Sequence, residues 1–124
     1  RAGRAAREVE AAARAAGMTA TVETGEQVDN RGRKQEALSA LTIDYDPADM
    51  ERMEAPTRDM LDKLASLTSR AKNTLVVRFE GTQACEVPLN ELTARGALDN
   101  HTIDNQCGRS SVSRIVISPM PDVR

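Results

Sequence analysis

Two short apolar runs constrain this chain more than any other feature. They are Leu75-Val76-Val77 within NTLVVRFE (73–80) and Ile115-Val116-Ile117 within VSRIVIS (112–118). Both are rich in β-branched residues, bounded by polar ones, and too short for helices. Runs this continuous fit central strands covered on both faces, lying near one another in one sheet.

The other elements arrange themselves around that pair. RAGRAAREVEAAARAA (1–16) is helical on propensity, with an alanine face and Val9, and Gly17 stops it. MTATVET (18–24) alternates as a one-sided strand, and GEQVDNRGRKQEA reads as a mobile loop whose Arg31, Arg33 and Lys34 are solvated. LSALTIDYD (38–46) is a second strand, with Leu41, Ile43 and Tyr45 on one face. Asp46 before Pro47 has the form of a helix cap, and Pro56 separates a short turn over 47–54 from a new helix. From there Met60, Leu61, Leu64 and Leu67 form one apolar stripe. Residues 81–111 carry one short helical piece, LNELTARGAL, and a long polar connection. The expected architecture is one α+β domain over 1–124: a single mixed sheet with helices packed mainly on one face.

Composition removes several function classes. The 124 residues contain one Phe, one Tyr and no Trp, and the net charge is −2. Single-strand nucleic acid would find almost no stacking platform and a duplex no general attraction, so no nucleic-acid partner is expected. No apolar run approaches the ~20 residues that span a bilayer, so direct membrane insertion is not expected. The chain begins at Arg1 rather than Met, which reads as a fragment or processed form.

No enzyme is announced either. His101 is the only histidine, on a polar stretch with Asp99 and Asp104, and reads as a solvated loop residue. Carboxylate pairs such as Asp44 with Asp46 fall at turns and helix starts, and no phosphate loop or dinucleotide fingerprint occurs. No catalytic residue, metal or cofactor is expected. Cys85 and Cys107 have two readings: buried free thiols of a cytosolic domain, or one disulfide formed in an oxidising compartment. Their polar surroundings, GTQACEVP and DNQCGRSS, favour the disulfide. Such a bridge would stabilise the fold by roughly 3 kcal/mol in the chain-entropy model.

A resemblance adds to this. ALTIDYDPADMERMEAPTRDMLDKLAS, with Pro56 and then Leu61-Asp62-Lys63-Leu64-Ala65, is similar to the first strand and helix of OmpA-like peptidoglycan-binding domains. VVRFEGTQ resembles that family's second strand and Glu-Gly-His-Thr-Asp turn through Glu80, Gly81 and Thr82. LNELTAR, ending at Arg95, resembles its next helix, and GRSSVSRIVIS its closing strand through Gly108, Arg109, Arg114, Ile115 and Ile117. The match spans roughly 40–118, with the family's third strand missing or reduced to HTID.

The resemblance implies a non-enzymatic, periplasmic or otherwise extracytoplasmic module that contacts peptidoglycan. In the family an aspartate and an arginine grip the diaminopimelate arm, which carries both an ammonium and carboxylates. Arg95 occupies the arginine place, whereas Gln83 stands at the acid place and cannot pair an ammonium as an ion. The implied binding residues are Gln83, Arg95, Arg109 and Arg114. The alternative is a structural or docking domain of an envelope assembly, such as a secretion or pilus apparatus, whose partner is another envelope protein.

Overall fold

The computed structural model describes residues 2–121. Arg1 of the expected first helix and residues 122–124 lie outside them. The elements run α1 (Ala2–Ala15), β1 (Thr19–Val28), β2 (Lys34–Asp44), α2 (Pro47–Arg52), α3 (Ala55–Arg70), β3 (Leu75–Gly81), α4 (Glu86–Ala94), β4 (Thr102–Cys107) and β5 (Arg114–Pro119). The five strands form one mixed sheet in the order β1-β2-β5-β3-β4, in which only β3 and β4 are parallel. This is the expected α+β architecture.

The two apolar runs do pair with each other, through Val77 with Ile117 and Phe79 with Ile115. They are not covered on both faces. Leu75, Val77, Phe79, Ile115 and Ile117 are buried beneath the helices, whereas Val76 and Val116 are only half-buried on the opposite face. An antiparallel pair can leave one face to water, and neighbouring side chains then shelter an occasional valine there. The open face otherwise carries Thr42, Asp44, Arg78, Glu80 and Arg114, all half-exposed.

Beneath the sheet, Ala6, Val9 and Ala13 of α1 are fully buried, and the small side chains let that helix lie close to β1, β2 and α3. Met60, Leu61 and Leu64 of α3 are also fully buried, as the stripe requires. Asp46 caps α2 by accepting from the Ala48 amide at 2.9 Å, with Pro47 in the first turn. Residues 47–52 thus make a true helical turn rather than an irregular one. Pro56 occupies the first turn of α3, where its missing amide is not needed.

Three expectations are corrected. The loop assigned to 25–37 is largely a hairpin, because Asp29 organises its turn: one carboxylate oxygen accepts from the Arg31 and Arg33 amides at 2.9 Å, the other from Arg33 Nε at 2.8 Å. These bonds, the Arg33 amide foremost, hold the Asp29 carboxyl below its ordinary value. The helix expected at 89–98 begins earlier, at Glu86, since Pro88 fits its first turn, and it ends at Ala94. The strand reduced to HTID is β4, a six-residue edge strand with no apolar alternation to reveal it. Its free edge is partly closed where the Asn105 side chain accepts from the Cys107 amide at 3.0 Å. At the other edge Arg14 donates to the Ala20 carbonyl at 3.0 Å.

Candidate functional site

The parallel strands β3 and β4 end side by side, and their exits form a clasped rim. β3 leaves through Gly81 at φ +137°, followed by exposed Thr82 and Gln83 and then by Ala84 in the left-handed region at φ +55°. Cys85 is buried at the start of α4 and is bonded to Cys107, the last residue of β4, with Cα atoms 5.6 Å apart. Cys107 is the ladder partner of Gly81, and the Gly108 amide donates to the Gly81 carbonyl at 2.7 Å. The exits of both strands are thereby fixed by one covalent bond and one short hydrogen bond. The disulfide reading of the sequence holds; the free-thiol reading does not.

The end of β2 supports the rim from below. The Tyr45 amide donates to the Ser113 carbonyl at 3.1 Å, and its hydroxyl donates to the Ala84 carbonyl at 3.4 Å. Burial pushes the Tyr45 phenol up to about 12. Beside it on the open face, Arg114 holds Asp44 with two bonds, Nε at 2.5 Å and the second guanidinium nitrogen at 2.9 Å. Arg114 also faces Glu80, its ladder partner on β3, and Glu80 in turn accepts from Arg78 at 2.6 Å. The guanidinium of Arg114 is held above its ordinary value, chiefly by the bond to Asp44.

The four residues expected to bind therefore separate. Gln83 and Arg109 are exposed on the two clasped loops, and among the described residues neither side chain makes a hydrogen bond. Arg114 starts β5 at the same end of the sheet but is turned to Asp44 on the open face. Arg95 lies at the opposite end of α4 from Cys85, roughly 15 Å along the helix axis. There its Nε donates to Asp62 of α3 at 2.9 Å, and another nitrogen donates to both the carbonyl and the carboxylate of Glu91 at 2.9 Å. The arginine place of the resemblance thus holds a strut between two helices, and it is not brought beside Gln83.

His101 is the functional-looking residue that sequence reading placed wrongly. Its Nδ1 accepts from the Leu75 amide at 3.0 Å, while Nε2 lies 2.7 Å from the Thr68 carbonyl and donates to it. One neutral imidazole thus joins the end of α3 to the start of β3. Thr68 is 33 positions away, so no local pattern could signal the pairing. An open polar cleft of about 480 Å³ adjoins it, lined among others by Lys72, Asn73, Asp99 and Asn100.

Chemically, the rim offers a carboxamide, a hydroxyl and one guanidinium, a set that can hydrogen-bond a peptide and pair one anion. Among the described residues, no three His, Cys, Asp or Glu side chains are arranged to hold a metal ion. No helix among them is long and apolar enough to cross a membrane. The chain matches no family model, no curated protein and no solved structure.

Proposed function

We propose that this chain is a non-enzymatic binding module of the cell envelope, working outside the cytosol and engaging its partner through the clasped rim around Gln83 and Arg109. The observation that carries this reading is the Cys85–Cys107 bond, which joins the exits of two parallel strands under an exposed, otherwise unengaged pair of polar side chains. Disulfides persist in oxidising compartments, and a bridge between two surface loops gives them a fixed shape on which recognition depends. The resemblance to OmpA-like domains supports the same compartment.

Two partners fit. Peptidoglycan is the one that the resemblance implies. A docking partner within an envelope assembly is favoured by a specific observation: Arg95 is engaged with Asp62 and Glu91, and no acid stands at Gln83. Without that acid–arginine pair the rim suits hydrogen bonds to a protein loop better than a zwitterionic arm. Co-sedimentation with purified peptidoglycan decides between them. The docking reading expects no retention of the wild type, with partner crosslinks from a photoreactive group at position 83 that disappear in Arg109→Ala. Retention of the wild type that is lost in Arg109→Ala restores the wall reading. If neither retention nor a crosslink sensitive to Arg109 is seen, the rim is not the binding surface.

A further inference from the structure

The loop that carries Gln83 is held in a conformation its own sequence does not favour. Ala84 has φ +55°, where its Cβ crowds the backbone, and residues other than glycine stay there only when their surroundings hold them. Two hydrogen bonds reach its carbonyl, from the Tyr45 hydroxyl at 3.4 Å and from the Val87 amide at 3.2 Å, both long. Its methyl group packs against the edge of the core, and the next residue, Cys85, adds a covalent constraint. Its partner Cys107 is held to β3 independently of the bridge, through the parallel ladder and the Gly108–Gly81 bond at 2.7 Å.

We propose that the Cys85–Cys107 bond is a redox-sensitive latch: oxidised, it holds the 82–84 loop in its binding form, and an external dithiol releases that loop without unfolding the domain. The inference rests on the rim being the binding surface. Cys85 is 4% exposed whereas Cys107 is half-buried at the strand end, so attack comes at the Cys107 sulfur. A thiolate of the dithiol bonds to that sulfur, the Sγ–Sγ bond breaks, and the Cys85 thiolate leaves and takes a proton. The second thiol of the reductant then attacks the mixed disulfide and frees Cys107. Two electrons and two protons pass to the protein, and the reductant ends as its own disulfide. The β3–β4 ladder needs no sulfur and stays, while Ala84 relaxes toward right-handed backbone and withdraws its carbonyl from Tyr45.

Tyr45 is the only tyrosine and there is no tryptophan, so intrinsic fluorescence reports on this corner alone. The test compares the chain with and without dithiothreitol, with alkylation and mass measurement confirming two free thiols. Expected on reduction are unchanged far-UV circular dichroism, at least twofold greater acrylamide quenching of Tyr45, and at least tenfold faster hydrogen exchange at amides 82–87. The double variant Cys85→Ala/Cys107→Ala should behave as reduced protein with no response to dithiothreitol. Unchanged exchange at 82–87 in fully reduced protein overturns the proposal, and so does loss of the far-UV signal, which would make the bond a global staple. No ligand enters these measurements, so their failure is distinct from a failure to bind wall or partner.

Discussion

A Cβ built on Gly81 would stand 3.1 Å from both the Cα and the Oγ of Ser113. The contact exists because β3 must end directly against the loop that enters β5, whose Ser113 is buried and bonded through its carbonyl to Tyr45. Backbone at φ +137° is open to glycine and hardly to any L side chain. Gly81→Ala should therefore cost about 2–4 kcal/mol, combining backbone strain with a clash that backbone atoms cannot relieve by rotating. Urea denaturation checks this: the midpoint falls with little change in slope. A loss under 1 kcal/mol would mean that the two segments part easily.

Arg95 gives a second prediction, because its two possible roles differ in what they couple to. As a strut it couples to Asp62, across 33 positions of sequence. The Asp62 side chain is 64% exposed, so the coupling is small, about 0.5 kcal/mol in a double-mutant cycle of Arg95→Ala and Asp62→Ala, and weaker in high salt. Wild-type partner binding should survive Arg95→Ala. A zero coupling energy together with abolished binding would return Arg95 to the role that the resemblance assigns it.

His101 supplies a third. Both ring nitrogens are used, one accepting from Leu75 and one donating to Thr68, at the corner where α3 hands the chain to the sheet. His101→Ala leaves the Leu75 amide without its partner and the Thr68 carbonyl with only the Ala71 amide at 3.3 Å, in partly buried surroundings, and should cost about 1–3 kcal/mol. Hydrogen exchange at the Leu75 amide localises the effect: it should accelerate well beyond that of Val77 in the adjoining ladder. Equal acceleration at both would place the role of His101 elsewhere.

These residues also show where the sequence was legible. Asp46 before Pro47, Pro56 and the Met60–Leu67 stripe are local signals whose physics acts within one or two helical turns, and each has its expected role. The cysteines declared themselves by standing in polar company where a small apolar group has no reason to be, and the structure joins them. The Asp29 turn was not legible, since its order comes from one carboxylate gathering amides on either side of the loop tip. Nor was β4, an edge strand defined by its neighbour rather than by its own pattern. The site suffered most. Gln83, Arg95, Arg109 and Arg114 were chosen by likeness to a family; two of the four are engaged with acids, and apart from the Arg95–Glu91 pair four positions apart, those contacts, Arg95 with Asp62 and Arg114 with Asp44, are distant in sequence.

Tyr45 ties stability to pH at the rim itself. Burial raises its folded value to about 12, against about 10 for an unfolded chain, because the ionised phenolate would lose its hydration in the core. A raised folded value means that stability is fully present below pH 10. As pH climbs from 10 to 12 the unfolded chain releases the proton while the folded one retains it, and stability falls. Two units correspond to about 2–3 kcal/mol at the top of that range. Tyr45→Phe removes the titration, so its stability should be flatter with pH across this window even though it lacks the bond to Ala84. Absorbance at 295 nm during an alkaline titration gives the midpoint directly, and a midpoint near 10 in folded protein would show that water reaches the phenol beneath the clasp.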